Sequence, residues 1–320
     1  MVASSHKKPS VFVVVPSHNH APFIERCLRS VIGQSLKPSK LLVIDDGSTD
    51  NSPEIIERVL KECTFPSELI VRSNQGLCAT LNQGFAASEG DYFAYIGSDD
   101  IWLPEFLESR VSLLEKRPDA VLAYGYSYLI DKDDAITDST QNWAEYADGD
   151  ALSMLLYPII PASASVVYRR NALEKCAWNT ASILEDYDLY LRLSALGEFA
   201  LDDRILSAWR IHSYNTSSDF PLMMQEWQTA IKQNAEVIGL DGDALEHALR
   251  RIRFRCVADF IRSGQKREAW KMFWNNLGGA SSFIDVGKMF SRFLVPTKVF
   301  QVKRSAFTRS YVRQSGILRY

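Results

Sequence analysis

The chain of 320 residues is 46% apolar with a formal net charge of −3, a globular composition with room for one large or two ordinary domains. No run of about eighteen apolar residues occurs, which excludes a spanning helix, and the polar start Met1–Ser10 lacks the apolar stretch of a signal peptide. Five cysteines, at 27, 63, 78, 176 and 256, form no C-x-x-C pair, which argues against a disulfide framework or a zinc site and for a reducing, cytoplasmic compartment.

Ser10–Val15 is a β-branched run, the pattern of a strand buried on both faces, and it stops at Pro16-Ser17-His18-Asn19-His20. A helix is expected from Pro22, with Ile24, Cys27, Leu28, Val31 and Ile32 at helical spacing; Asn19 and His20 read as its caps. Leu41–Ile44 is a second buried strand and ends in Asp45-Asp46-Gly47-Ser48-Thr49-Asp50. A helix over 53–61, a strand at 69–71 and a helix opened by Asn74-Gln75-Gly76 follow. Tyr92–Ile96 is a short apolar strand that ends in Gly97-Ser98-Asp99-Asp100. Beyond Pro104 the pattern predicts a helix to 116, a strand over 120–128, an acidic surface loop over 131–148 and a strand over 162–168. A short helix over 171–176, a helix opened by Leu184-Glu185-Asp186-Tyr187-Asp188 and a strand over 204–211 complete this part; from Pro221 onward the chain reads helical.

Such alternation predicts an α/β fold with a mostly parallel sheet and helices on both faces. Parallel strands would bring Pro16–His20, Asp45–Asp50 and Gly97–Asp100 to one edge, the carboxyl edge at which open α/β sheets bind ligands. Adjacent acids such as Asp99 and Asp100 repel unless a cation or a ligand's donors stabilise them. An acidic helix start such as 185–188 is itself favoured by the helix dipole.

These stretches, P-S-H-N-H at 16–20, D-D-G-S-T-D at 45–50, N-Q-G-L at 74–77, G-S-D-D at 97–100 and L-E-D-Y-D-L-Y-L-R at 184–192, resemble the ordered motifs of glycosyltransferase family 2 over about residues 10–215. The resemblance implies the GT-A fold, a nucleotide-sugar-binding α/β sandwich, and inverting transfer from a nucleotide diphosphate sugar, UDP-linked, to a saccharide or lipid-linked acceptor in surface polysaccharide synthesis. It implies a nucleoside pocket at Pro16, Ser17, His18 and Asp46, with Asn74 and Gly76 approaching the nucleotide or sugar and Asp45 holding its turn with Gly47. Asp100, Asp99 and His212 are the implied holders of Mn2+ or Mg2+, with Asp99 also a candidate for the ribose hydroxyls. Asp186 is the implied general base, with Glu185 as the alternative and Asp188 as a capping or pairing residue. The sequence departs from the family at Gly97, where many members carry a further acid, and at His18, where an aromatic tyrosine is common. Two other readings stay open: a nucleotide-sugar-binding module without activity, and a sugar-phosphate nucleotidyltransferase. The second lacks its Gly-rich basic loop after the first strand.

The charge is uneven. Residues 1–249 hold 20 basic and 36 acidic side chains, a net of −16, whereas residues 250–320 hold 16 and 3, a net of +13. The resemblance ends near 220, so the expected division is a catalytic domain over 1–220 and a basic helical region over 221–320. Arg250, Arg251, Arg253 and Arg255, then Lys266, Arg267, Lys271, Lys288 and Arg292 among Phe283, Phe290, Phe293 and Leu294, and finally Lys298, Phe300, Lys303 and Arg304, suggest an anionic membrane surface as partner and a peripheral location. Packing on the acidic domain or an oligomer contact are the alternatives. No recognition motif accompanies the charge, so nucleic acid is not an expected partner.

Overall fold

The computed structural model describes residues 8–212, 220–296, 311 and 316–318. Strand and helix alternate as β1 (Val11–Ser17), α1 (Ile24–Ile32), β2 (Lys40–Asp46), α2 (Ser52–Leu60), β3 (Ser67–Arg72), α3 (Leu77–Ala86) and β4 (Tyr92–Tyr95). Then come β5 (Ile101–Trp102), α4 (Phe106–Lys116), β6 (Ala120–Ile130), β7 (Ile136–Ser139), α5 (Leu152–Leu155), β8 (Val167–Arg169), α6 (Arg170–Leu173), α7 (Glu185–Ser194) and β9 (Glu198–Arg210). Among the described residues there follow the helices α8 (Phe220–Asn234), α9 (Gly242–Arg262), α10 (Lys266–Asn275) and α11 (Phe283–Leu294). Lys298, Phe300, Lys303 and Arg304 of the basic tail, and Ser213–Ser217 after β9, lie outside the described residues.

The strands pack as β-branched runs should. Val11, Val13 and Val15 face one apolar layer with Leu41, Val43 and Ala94, closed by Ile24, Cys27, Leu28 and Val31 of α1. Phe12 and Val14 face the other with Leu42, Ile44 and Phe93, closed by Leu81 of α3 and Leu189 of α7. This period-two division puts helices on both faces. Fully burying one such side chain, Leu28 for example, contributes about 2 kcal/mol.

The sheet order is β3-β2-β1-β4-β8-β6-β9-β5, with β7 paired to β6. The β1, β2, β3 and β4 strands are mutually parallel. The β8 strand runs antiparallel to both β4 and β6, so β6, and with it the parallel β9, points the same way as β1. The β5, β7 and β8 strands oppose that direction, so the sheet is mixed beyond β4. The carboxyl ends of β1, β2, β4 and β9 therefore share one edge.

Several local expectations differ. Within 131–148, read as a loop, Ile136–Ser139 forms β7, because Ile136 joins Ile130, Ala208 and Leu318 in a small apolar cluster. The β9 strand starts at Glu198 rather than 204, since Phe199 and Ala200 are core residues. Of the strand expected over 162–168, only Val167–Arg169 is extended in the sheet, and Ser163–Ser165 makes a 3-10 turn.

The C-terminal helices join the same apolar layer through Ile252, Phe254 and Val257 of α9 and Phe273 of α10. Asn234 of α8 donates to Asp188 of α7 at 2.9 Å, while Arg192 grips the same carboxylate at 2.6 Å, so Asp188 is a pairing residue. The arginines at 250–255 are tied to this chain. Arg250 pairs with Glu246 at 3.0 Å, Arg253 donates to Gln228 at 2.8 Å, and Arg251 and Arg255 lie over the Tyr157 ring at 5.1 and 5.5 Å.

Candidate active site

The first side of the site lies where β1 and β2 end. Asp45 is fully buried and accepts from the backbone N–H and the hydroxyl of Ser48 at 2.8 and 2.7 Å, which closes the turn. Gly47 sits in that turn at φ +81°, and a Cβ there would stand 2.7 Å from the Asn74 nitrogen, so both conformation and space require glycine. Asp46, 4% exposed, reaches across to the next loop: Oδ1 accepts from Gln75 N at 3.0 Å and Oδ2 from Gly76 N at 2.7 Å. Arg72 pairs with Asp46 at 2.8 Å and also holds Thr80 at 2.7 Å. Above them the exposed His18 ring sits 3.0 Å from the Asp46 carbonyl and 3.3 Å from the Asn74 amide. Pro16 and Ser17 are buried beneath at the end of β1. The structure thus brings together all six of Pro16, Ser17, His18, Asp46, Asn74 and Gly76.

Asn19 and His20 do not cap α1, whose first turn has no side-chain cap. The Asn19 side chain instead accepts from Thr49 N at 2.7 Å and adopts φ +54°. His20 turns toward the acidic turn after β4, with Nδ1 2.7 Å from Ser98 Oγ and 3.8 Å from Asp99 Oδ1. Asp99 Oδ2 and His212 Nε2, just past β9, lie 2.9 Å apart. Ring nitrogens of His20 and His212 and an oxygen of Asp99 all lie within 4.8 Å of one another, a separation that a metal ion can bridge.

The two adjacent acids differ in environment. Burial works against the Asp99 charge, but the hydrogen bond from His212 and the field of His20 outweigh it and hold its pKa below the usual carboxylate range. Burial, and then the Asp99 charge, push Asp100 well above that range. Asp100 is 6% exposed, its Oδ1 accepts from Arg210 N at 2.9 Å, and it stands outside the three-residue cluster. Of the two acids that the sequence offered for the metal, Asp99 joins the cluster and Asp100 secures the end of β9. A Cβ on Gly97 would come 2.9 Å from Asp99 Oδ1 and 3.2 Å from Asp100 Oδ2, so a third acid there would displace both carboxylates.

The second side is the start of α7. Tyr95, the last residue of β4, donates to Glu185 Oε1 at 3.4 Å and so sets the helix start beside the acidic turn. Tyr95 stacks on Tyr168 with centroids 6.3 Å apart, and this apolar floor explains the titration of the acids above it. Burial, then the neighbouring Asp186, push Glu185 up to about 8. Burial pushes Asp186 up to about 6, against the hydrogen bond from Tyr187 N. Both acids are raised, Glu185 further than Asp186, a separation that suits Asp186 as a base and Glu185 as its neutral neighbour.

Sequence reasoning missed His20, Arg72, Tyr95 and Arg210. Arg210 is fully buried, donates to the Asp99 carbonyl at 2.7 Å and pairs with Asp134 at 2.7 Å, locking the acidic turn from behind. The one signal available for His20 was its place two residues beyond His18 in the same strand-end loop.

The family model described as "Glycosyl transferase family 2" matches residues 12–176, a span that stops short of Glu185 and His212. An uncharacterized glycosyltransferase of Haemophilus influenzae is 30% identical over 70% of this chain and 72% of its own length. One from Nostoc sp. is 26% identical over 80% of this chain and 81% of its own length. The chondroitin synthase of Escherichia coli is 27% identical over 67% of this chain, which spans 31% of that longer protein. Among solved structures, the mannosyltransferase PcManGT of Pyrobaculum calidifontis, in complex with GDP-Man and Mn2+, aligns with a TM-score of 0.62 at 15% identity, over 97% of this chain and 87% of that one. TarS 1–349 of S. aureus, in complex with UDP-GlcNAc, gives 0.59 at 15% identity, over 97% and 93%. At that identity the two structures speak to the fold, which is the GT-A type. The match over more than half of the chain carries the assignment further: the chain belongs to glycosyltransferase family 2.

Proposed function

We propose that this glycosyltransferase moves a sugar from a nucleotide diphosphate donor, UDP-linked, to a saccharide or lipid-linked acceptor, with inversion at the anomeric carbon. The observation that carries the proposal is the convergence at one sheet edge of the Asp46 pocket, the Asp99–His212 pair and the Glu185–Asp186 start of α7. His18 offers a ring face for the base, and Asp46 Oδ2, which already holds Gly76 N, keeps a lone pair for a base N–H. Asp99 and His212 present a carboxylate oxygen and an imidazole nitrogen 2.9 Å apart, a donor set that fits Mn2+ or Mg2+. A divalent ion held there supplies charge neutralisation to the diphosphate leaving group. Asp186 takes the proton of the acceptor hydroxyl as that oxygen attacks the face opposite the leaving group, and the protonated Glu185 keeps a second negative charge away from it. The solved relatives named with UDP-GlcNAc and with GDP-Man and Mn2+ support a nucleotide-sugar donor. A turnover screen of UDP- and GDP-sugars with Mn2+ tests this reading. At least one donor is expected to release its nucleoside diphosphate in a metal-dependent way, and silence across the panel, with and without acceptor saccharides, would contradict it.

A second proposal concerns residues 221–320, as a basic helical extension of a 1–220 catalytic unit that seats on an anionic membrane at the cytoplasmic face and so reaches a lipid-linked acceptor. No described helix is long and apolar enough to cross a membrane. Its observation is exposed apolar surface on α10 and α11: Phe283 is 96%, Ile284 68% and Leu294 75% exposed, and Trp270, packed on Phe290 and Phe293, is exposed as well. Lys271 and Lys288 are exposed on the same two helices, a charge complement to acidic headgroups. Flotation with vesicles containing phosphatidylglycerol is expected to carry the intact chain, and Phe283→Ser with Leu294→Ser to lower recovery at least about fivefold, given ~1 kcal/mol or more per buried side chain. Equal recovery of the two proteins, or a loss of self-association in the variant without a change in flotation, would give the patch to another occupant.

A further inference from the structure

His20 has no part in the scheme above, and the family resemblance assigns it none. Its ring nevertheless occupies the third corner of the Asp99–His212 cluster, with Nδ1 3.8 Å from Asp99 Oδ1. Two neighbouring ligands on a first-row divalent ion, each about 2.1 Å from it, stand about 3 Å apart. The candidate ligand atoms of the three side chains all lie within 4.8 Å of one another, so they close by at most about 2 Å to reach that separation.

The surroundings hold both rings in place. His20 packs edge-on against His212, with centroids 5.8 Å apart and an interplanar angle of 80°. His212 stacks on Phe23 at 5.5 Å, and the Arg210 guanidinium covers the Phe23 ring at 4.8 Å. Ser98 Oγ, 2.7 Å from His20 Nδ1, holds the ring against the acidic turn through the nitrogen that faces Asp99, a hydrogen bond that Nδ1 exchanges for the ion on binding. The His20 backbone is held in turn by the Ser52 hydroxyl at 3.1 Å. The β1–α1 loop therefore delivers an imidazole to the acidic turn as a built feature.

We propose that His20 is a third protein ligand, and that two imidazoles and one carboxylate make the site select Mn2+, Co2+ or Zn2+ over Mg2+. Mg2+ prefers oxygen ligands and gives up water reluctantly, whereas imidazole suits the later first-row ions. A ligand set of two histidines and one carboxylate on one side of the ion leaves the other side open, here for diphosphate oxygens. This inference rests on the reading that a donor-bound divalent ion occupies the acidic turn, and it deepens that reading to the class of ion.

Electron paramagnetic resonance of Mn2+ in the presence of UDP tests it without turnover, since the free-ion signal falls on binding. Wild type is expected to keep Mn2+ against at least about 100-fold excess Mg2+, while His20→Ala weakens Mn2+ binding about 10–100-fold and narrows the Mn2+/Mg2+ preference at least tenfold. His20→Gln, which fills the same space without an imidazole, is expected to show the same loss and guards against a mere packing effect. Unchanged Mn2+ affinity in both variants, or displacement of Mn2+ by equimolar Mg2+ in wild type, overturns the proposal. Asp99→Ala distinguishes loss of the His20 ligand from loss of the metal site. If it abolishes Mn2+ binding while His20 variants bind normally, only the His20 ligand is lost; if it too binds normally, the metal reading itself falls.

Discussion

Asp186→Asn is expected to bind donor as wild type does and to transfer sugar about 10²–10⁴-fold more slowly, the range that a positioned general base supplies. The isostere keeps the shape of the α7 start and removes only the proton acceptor. In wild type, kcat/KM should fall about tenfold per pH unit below about 6, where Asp186 takes up its proton, and the variant should lose that limb. The sign for stability follows from the same shift. A carboxyl whose folded pKa is raised binds its proton more tightly in the folded chain, so its contribution is present in acid and is lost as pH rises through about 6. Asp186→Asn should therefore melt no lower than wild type at neutral pH, and a slow enzyme that is also well folded points to chemistry. Undiminished turnover would remove Asp186 as the base.

The parts of this fold that were legible are those in which one segment states its own environment. Val11–Val15 and Leu41–Ile44 could be read as strands because burial on both faces demands a continuous apolar run, and the structure divides their side chains between two layers. The edge that carries the site was legible for the same reason, since short connections between strand and helix leave parallel strands as the simple arrangement. Contacts between distant segments were not. The direction of Asp100 is set by the Arg210 N–H, 110 residues later in the chain, and no local pattern announces it. His20 reads as a cap until Ser98, 78 residues on, is seen against its ring. The two-residue β5 and the four-residue β7 carry too little periodicity to be read, and they exist because β9 and β6 offer them free edges. The basic run at 250–255 was legible as charge and not as surface: Tyr157 and Gln228 hold Arg251, Arg253 and Arg255 half-buried, while Arg250 stays exposed in its pair with Glu246.

Asp99→Ala carries the other large effect. It removes the carboxylate that, among the described residues, faces both His20 and His212, and with it the charge that would hold a cation at the diphosphate. Transfer is expected to fall by about 10³-fold or more, since Lewis-acid stabilisation of a leaving group is worth several kcal/mol. His212→Ala should weaken the same step less, because Asp99 retains its charge. The fold should persist in both, as Arg210 binds the backbone carbonyl of Asp99 and not its side chain. The account turns on one claim, that the acidic turn after β4 and the Asp46 pocket together form a cation-assisted nucleoside diphosphate site. Calorimetric titration of UDP into wild type and Asp99→Ala, each with Mn2+ and with EDTA, addresses it directly. The account predicts binding to wild type with Mn2+, and at least tenfold weaker binding both in EDTA and in the variant. Equal heats in all four titrations would contradict it.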